Sequence, residues 1–202
     1  MKLYCATTNP GKLREFREIV AHYGGGRCEV EPLAGWRDLP PCEENGATFE
    51  ENAVLKAMHY GPYADGWLLA DDSGLEVDAL GGAPGVYSAR FSGDEATDES
   101  NNRLLLERLG DAASRSALFV CVIALADRGR LAGTFRGAVE GRIIGAPRGE
   151  HGFGYDPLFY HEPSGCTFGE MPGGTKLLVS HRARALEKML AWLNNPSVCP
   201  PR

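Results

Sequence analysis

The apolar positions near the start of the chain predict a strand, a tight loop and a helix. The run from Lys2 to Thr8 is mostly apolar and ends in the turn sequence Asn9-Pro10-Gly11. Apolar residues then recur on one helical face, and three glycines at 24–26 stop the pattern. That face carries Leu13, Phe16, Ile19, Val20 and Tyr23.

Three further helices are predicted downstream. One begins at Thr48, which has the T-x-x-E spacing to Glu51 that satisfies two backbone N–H groups reciprocally. Another runs from about Thr97 to Leu109 and ends at a glycine. The last starts at Ser180.

The strand signals place acidic residues at a strand end. Trp67 to Ala70 is an apolar run that leads directly into Asp71-Asp72-Ser73-Gly74, and ligands of open α/β sheets usually bind at that edge. Further along, residues 118–125 and 131–139 read as a hairpin.

Length and composition restrict the class of protein. The 202 residues suit one compact or two-lobed domain, and 43% hydrophobic with 24% charged residues is typical of a globular chain. The longest apolar stretch is about half of what a membrane-spanning helix needs. The first dozen residues lack a secretory signal, so we expect a cytoplasmic protein with no membrane partner. The net charge of −6 disfavours binding to a nucleic acid polymer.

The six cysteines are scattered, with no C-x-x-C pair. A chain of this size has no need of disulfides, so we expect mostly free thiols.

The segment T-T-N-P-G-K at 7–12 is a candidate anion site. It follows a strand and precedes a helix, where free backbone N–H groups and the positive end of the helix dipole favour a phosphate, and Lys12 adds a charge. It does not match a Walker A loop. An ordinary turn before a helix is the alternative.

Asp71 and Asp72, joined by Glu43 from an upstream loop, are a candidate metal site. Adjacent carboxylates repel one another unless a cation compensates, and Mg2+ suits such oxygen ligands. The alternative is that one aspartate caps a turn and the other is solvated.

Two later motifs suggest ligand contacts. His181 and Arg182 fall in the first turn of the last helix, where a positive charge opposes the helix dipole, and Lys176 lies just upstream. A bound anion or an electronegative ligand atom would explain them; solvated basic residues are the alternative. In G-F-G-Y-D-P at 152–157, Phe153 stands between two glycines and is placed to stack on a flat ligand, or to pack in a tight turn.

Taken together and in this order, the motifs resemble the inosine triphosphate pyrophosphatase family. They are T-x-N-x-x-K at 7–12, T-F-x-E-N-A-x-x-K-A at 48–57, D-D-S-G-L-x-V-D-A-L-G-G-A-P-G-V-Y-S-A-R at 71–90, G-F-G-Y-D-P at 152–157 and S-H-R at 180–182. The resemblance covers Lys2 to about Leu193.

The resemblance implies an α/β fold, with an elongated mixed β-sheet and flanking helices that form two lobes around a substrate cleft. Residues 1–195 would be this one two-lobed domain, and 196–202 a flexible tail. It also implies a homodimer and a Mg2+-dependent reaction in which ITP, dITP or XTP is hydrolysed to the monophosphate and pyrophosphate.

The resemblance also implies a role for each matching residue. Asp72 would be the proton acceptor, and Glu43 and Asp72 would hold the metal. The phosphates would be held by Thr7, Thr8, Asn9, Pro10, Gly11 and Lys12. Other contacts to the nucleotide would come from Ser73, Phe153, Gly154, Tyr155, Asp156, Lys176, His181 and Arg182, with the last two around the base.

Two departures from the family pattern are local. Ala183 stands where the family often has glycine, and the segment 171–174 replaces a more acidic, helical approach to Lys176. Two other functions remain open: a nucleotide sensor that does not hydrolyse its ligand, and a pyrophosphatase for a different modified nucleotide.

Overall fold

The fold is a mixed β-sheet with helices, seen in a computed structural model that describes residues 1–7 and 9–195. Two sequence predictions, the phosphate contact of Thr8 and the flexible tail 196–202, lie outside these residues. The strands are β1 (Lys2–Cys5), β2 (Glu29–Pro32), β3 (Trp67–Val77), β4 (Ser116–Asp127), β5 (Arg130–Ile143), β6 (Phe159–His161) and β7 (Cys166–Thr167). The helices are α1 (Pro10–Tyr23), α2 (Phe49–Tyr60), α3 (Asp98–Leu109), α4 (Gly173–Val179) and α5 (His181–Leu193).

The seven strands form one sheet in the order β2-β1-β3-β4-β5-β6-β7. Strand β1 is parallel to both of its neighbours, whereas β6 is antiparallel to β5 and β7. The predicted α/β class with a mixed sheet is therefore confirmed. Strands β4 and β5 form the predicted hairpin, joined by Arg128 and Gly129, which both have positive φ.

The chain divides into two compact units. The first unit comprises residues 1–72, 121–137 and the C-terminal segment from residue 181. Of the apolar face predicted for α1, Phe16, Ile19 and Val20 are fully buried in its core, whereas Leu13 and Tyr23 are half-buried. The second unit comprises residues 73–120 and 138–180, and its core is a cluster that includes Leu105, Phe119, Phe159 and Phe168.

Strand β3 corrects the sequence prediction. It does not end before Asp71 but continues to Val77, so the two aspartates lie within the strand. The sequence Asp-Asp-Ser-Gly reads as a turn, yet the strand continues beyond it, and Leu75 and Val77 are fully buried. Carboxylates can occupy the middle of a buried strand only if other groups compensate their charge.

The N-terminus of α2 also differs from its prediction. Thr48 does cap the helix by accepting a hydrogen bond from the Glu51 N–H. The Glu51 carboxylate, however, accepts from the Ala47 N–H at 2.6 Å, so the reciprocal bond to Thr48 is replaced by one to the preceding residue.

The structure tests the expectations for the cysteines and for membrane-spanning helices. Cys5, Cys28, Cys42, Cys121 and Cys166 are free thiols, as predicted, and Cys199 lies outside the described range. Within the part of the chain described, no helix is long and apolar enough to cross a membrane.

Candidate active site

The loop before α1 is a folded cap rather than an open anion site. The Asn9 side chain oxygen accepts hydrogen bonds from the N–H groups of Gly11 and Lys12, at 2.8 and 3.1 Å. The Asn9 N–H donates to Thr7 Oγ1, and Pro10, the first helical residue, has no N–H. The expectation that the backbone N–H groups of this loop are free is therefore wrong for Asn9, Gly11 and Lys12, because each of them donates to a side chain within the loop. Phosphate binding by these residues stays a prediction. The helix dipole and side chains remain for anion binding.

Lys12 lies beside the first of the two aspartates. Its Nζ is 2.8 Å from Asp71 Oδ2, and the Asp71 carboxylate is almost fully buried. Burial alone would raise the pKa of Asp71, but the charges of Lys12, Lys56 and Arg182 outweigh it and hold the pKa below the ordinary value. Asp71 is thus an ionised group that orients the Lys12 ammonium.

Asp72 is held by two residues of α2. Asn52 Nδ2 donates to Asp72 Oδ2 at 3.1 Å, and Lys56 Nζ donates to Asp72 Oδ1 at 3.3 Å. Asn52 and Lys56 are four residues apart and therefore project from the same face of the helix. Burial raises the pKa of Asp72, and the opposing effects of Lys56, Lys12 and the Asn52 hydrogen bond do not cancel that rise. The carboxylate is consequently fixed in orientation and more basic than an ordinary aspartate.

Of the adjacent residues Glu43 and Glu44, it is Glu44 that contacts Lys56. Glu44 Oε2 lies 2.7 Å from Lys56 Nζ, so one ammonium group bridges Glu44 and Asp72. Glu43, the residue predicted to bind the metal, is exposed, as is Glu44. Its role as a ligand stays a prediction, and Glu44 is the glutamate whose carboxylate shares a partner with Asp72.

This donor set fits Mg2+. Among residues 1–7 and 9–195, no group of three or more His, Cys, Asp or Glu side chains converges on one point. Mg2+ in proteins usually takes only one or two carboxylates and completes its shell with water and substrate phosphates. Asp72 and Glu44, whose carboxylates both lie at the Lys56 ammonium, are the pair that would supply those oxygens.

His181 and Arg182 are buried in the first unit, 2% and 4% exposed, so the alternative that they are solvated basic residues is wrong. Arg182 Nη1 donates to Glu15 Oε2 of α1 at 2.8 Å. The first turn of α5 lies directly against β5, since a Cβ on Gly137 would collide with the His181 carbonyl oxygen. Glycine at 137 is therefore required for this close approach.

In the second unit, the G-F-G-Y-D-P loop encloses a buried ion pair. Asp156 Oδ2 accepts from Lys176 Nζ at 2.6 Å and from the Phe153 N–H at 2.9 Å. The Lys176 ammonium also lies 5.2 Å from the centre of the Phe153 ring. Gly152 has φ +78°, and a Cβ there would collide with the Asp156 carboxylate.

The remaining predicted residues are placed as follows. Lys176 lies on helix α4, so the unusual segment at 171–174 does not prevent a helical approach to this lysine. Gly154 has φ +64°, and the buried Tyr155 donates its hydroxyl to the Ser88 carbonyl at 2.8 Å. Ser73 follows Asp72 in β3 and is the first residue of the second unit.

Four polar residues of this region were missed by the sequence reasoning: Glu15, Glu44, Asn52 and Lys56. For Asn52 and Lys56 a signal existed. Both fall on the buried face of α2 with Ala53 and Ala57, where a polar side chain needs a specific partner. The partner of Glu15 is distant in sequence, and no local pattern identifies it.

The ion pairs of the first unit thus include Lys12–Asp71, Lys56–Asp72 and Arg182–Glu15. A capped helix N-terminus with a lysine, beside a fixed basic carboxylate, can bind a phosphorylated ligand and accept a proton next to it. An α/β protein with this arrangement of groups is suited to phosphoester or phosphoanhydride chemistry.

The chain belongs to the Ham1 family, whose model matches residues 3–192. It is 51% identical over 191 residues to the dITP/XTP pyrophosphatase of an Exiguobacterium species, covering 95% of this chain and 96% of that protein. It is 48% identical over 205 residues to a dITP/XTP pyrophosphatase of Thermus thermophilus, covering 100% of this chain and 95% of that protein. Among solved structures, a HAM1 protein from Coxiella burnetii has a TM-score of 0.85 at 38% identity and covers 96% of this chain and 98% of its own.

Proposed function

We propose that this protein hydrolyses noncanonical purine nucleoside triphosphates, with ITP, dITP and XTP as substrates, to the monophosphate and pyrophosphate. The observation that carries the proposal is the setting of Asp72, a basic carboxylate fixed by Asn52 and Lys56 next to the Lys12–Asp71 pair. The dITP/XTP pyrophosphatase names of close relatives support the substrate class.

In this mechanism Asp72 is the general base. Water is a poor nucleophile at neutral pH, so attack on the α-phosphorus requires a carboxylate that accepts its proton. The oxygen of water forms a bond to the α-phosphorus while the bond to the bridging oxygen breaks and pyrophosphate leaves. The proton passes to Asp72, whose raised pKa makes it a stronger acceptor than an ordinary aspartate.

The phosphates are bound in this proposal by the loop from Thr7 to Lys12. Since the Asn9 cap occupies the backbone N–H groups of Gly11 and Lys12, the Lys12 ammonium and the positive end of α1 provide the attraction. Asp71 holds Lys12 in place, and Lys12 stabilises charge that develops on the leaving group.

Mg2+ is the proposed cofactor, held by Asp72 with Glu43 or Glu44. When bound, Mg2+ neutralises phosphate charge and stabilises the leaving pyrophosphate.

The nucleotide is recognised, in this proposal, by the residues that the family resemblance assigns to it. Ser73, Phe153 to Asp156 and Lys176 contact the nucleotide, and Phe153 offers a ring for stacking. His181 and Arg182 donate hydrogen bonds to the base, which favours a 6-oxo purine over adenine. We also propose, from the family resemblance, that the protein is a cytoplasmic homodimer.

The test is pyrophosphate release across a panel of nucleoside triphosphates, measured with Mg2+ for the wild type and for Asp72→Asn. The proposal expects release from ITP, dITP and XTP, little from the ordinary nucleotides, and loss of release in the variant. Binding of ITP without release would indicate a sensor. Release confined to a modified pyrimidine nucleotide would indicate a different substrate.

A further inference from the structure

Helix α3 holds the loop that carries Phe153. Asp98 Oδ2 accepts a hydrogen bond from the Gly154 N–H at 2.6 Å, and Asn102 Nδ2 donates to the Gly154 carbonyl at 2.9 Å. Asp98 and Asn102 are four residues apart, so both project from one face of α3. The two peptide groups flanking the Gly154 Cα are thus each fixed by one side chain. We refer to this pair of bonds as the α3 clamp.

The clamp acts on a residue whose conformation decides the direction of the loop. Gly154 has φ +64°, in the left-handed region, and separates Phe153 from Tyr155 and Asp156. A rotation of either flanking peptide would redirect the Phe153 ring and displace the Phe153 N–H from Asp156. Fixing both peptides therefore fixes the orientation of the ring.

Helix α3 is itself firmly anchored in the second unit. Thr97 and Ser100 form a reciprocal capping box at its N-terminus. The buried Asn101 accepts from the Ser92 N–H at 2.8 Å and donates to the Ala89 carbonyl at 3.2 Å. Leu105 is fully buried in the core cluster. A site held by a helix fixed in this way is positioned more precisely than one supported by loops alone.

On the side that faces α3, the loop is not held in place by close packing, so the two hydrogen bonds of the α3 clamp are needed. A cavity of about 460 Å³ is lined by Asp98, Asn102 and Arg103 of α3 and by Gly152, Phe153 and Gly154 of the loop. The Asn102 Oδ1 atom is buried without a hydrogen-bond partner, so the amide is oriented by its bond to Gly154. If the amide were flipped, its oxygen would face the Gly154 carbonyl oxygen.

We propose that Asp98 and Asn102 are positioning residues for nucleobase recognition: they hold Gly154 so that the Phe153 ring is oriented to stack on the base. This inference rests on the proposed function, because it assigns the loop to the nucleobase. It gives no role to α3 in the chemistry at the phosphates.

The experiment exchanges the two side chains. Asp98→Asn retains an oxygen that can accept from the Gly154 N–H. Asn102→Asp has nearly the same shape but replaces the donor with a carboxylate oxygen facing the Gly154 carbonyl. The double exchange Asp98→Asn/Asn102→Asp has the same net charge as the wild type, so any defect it shares with Asn102→Asp is not an effect of total charge. Glu107→Gln, on an exposed position of the same helix, is the control.

Each variant is assayed with ITP and with methyl triphosphate, which has the phosphates but no base. We expect Asn102→Asp and the double exchange to lower kcat/KM for ITP by about tenfold or more, mainly through KM, with methyl triphosphate changed less than about twofold. Asp98→Asn should stay within about threefold of the wild type on both substrates, since the hydrogen bond persists. Glu107→Gln should match the wild type.

A second measurement follows the loop without catalysis. Hydrogen exchange of the Gly154 amide should be faster in Asn102→Asp and in the double exchange than in the wild type, with the melting temperature recorded for each. Unchanged exchange, or an equal loss on both substrates, would overturn the positioning role. Failure of the proposed function is recognised separately, because the wild type would then release no pyrophosphate from ITP, and amide exchange would still decide whether the clamp holds the loop.

Discussion

Lys56 and Asp72 form a buried ion pair, with Lys56 Nζ 3.3 Å from Asp72 Oδ1. Burial opposes the charge of Lys56, but the carboxylates of Asp72, Asp71 and Glu44 outweigh it and raise the pKa of Lys56. The ammonium therefore stays charged throughout the neutral range and lowers the pKa of Asp72 against the larger, opposite effect of burial. The pair sets how basic Asp72 is and the pH at which it becomes protonated.

The first prediction concerns pH. The raised pKa of Asp72 means that activity is lost, as the pH falls, at a higher pH than for an ordinary aspartate. Lys56→Gln removes a charge that favours the carboxylate, so the pKa of Asp72 should rise further and the acidic limb of kcat/KM should move to higher pH. Lys56→Arg keeps the charge and should leave the limb near its wild-type position. An acidic limb that stays in place in Lys56→Gln would show that Asp72 does not control it.

The second prediction concerns the general base itself. Asp72→Asn should reduce kcat by about a hundredfold or more, the scale expected for the loss of a positioned base. The substitution is nearly isosteric, so circular dichroism and the melting temperature should report a folded protein. A variant with turnover close to that of the wild type would mean that another group accepts the proton.

The third prediction separates the two glutamates. If Glu44 is the second metal ligand beside Asp72, Glu44→Gln should raise the Mg2+ concentration needed for half-maximal activity by about tenfold. Changes around a metal site typically weaken metal binding by about 10- to 100-fold, and tenfold is the lower end of that range. Glu43→Gln, a matched substitution at the exposed neighbour, should change it little. The reverse order would assign the metal to Glu43, as the sequence predicted.

The fourth prediction concerns selectivity for the base. Arg182 pairs with the buried Glu15, and removal of one partner of such a pair destabilises a protein by about 3–5 kcal/mol. Arg182→Lys preserves the charge opposite Glu15 but loses the planar donors, so it should remain folded and lose most of the preference for ITP over ATP.

Arg184→Ala, at an exposed position of the same helix, is the matched control and should keep the preference. The comparison requires kcat/KM for both nucleotides. If Arg182→Lys retains both the ITP rate and the ratio, the residue has a structural role and another group reads the base.

Local sequence patterns predicted the helices and strands, but they did not predict which partners the polar groups of the site bind. The strand and helix around Asn9 were predictable, because an apolar run, a turn sequence and a helical face are all local signals. The occupation of the Gly11 and Lys12 N–H groups was not, although Asn is a strong N-cap residue. The backbone N–H groups of a helix N-terminus are available to an anion only where the helix's own cap leaves them unoccupied.

The error at β3 has a related cause. The turn-like sequence after Ala70 suggested that the strand ended, whereas the strand continues because Lys12 and Lys56 compensate the two carboxylates. Those lysines come from separate helices, so the compensation is tertiary: the buried face of α2 indicates that Lys56 needs a partner, but no local pattern identifies that partner as Asp72. The partners of Glu15 and Asn52 escaped prediction for the same reason.

The most direct test of the proposed reaction is the fate of water oxygen. Hydrolysis of ITP in water enriched in oxygen-18 should give inosine monophosphate that carries the label and pyrophosphate that does not, because attack is at the α-phosphorus. Mass spectrometry of the separated products reads both. Label in pyrophosphate would place the attack at the β-phosphorus, and diphosphate with orthophosphate as first products would place it at the γ-phosphorus; either result contradicts the account.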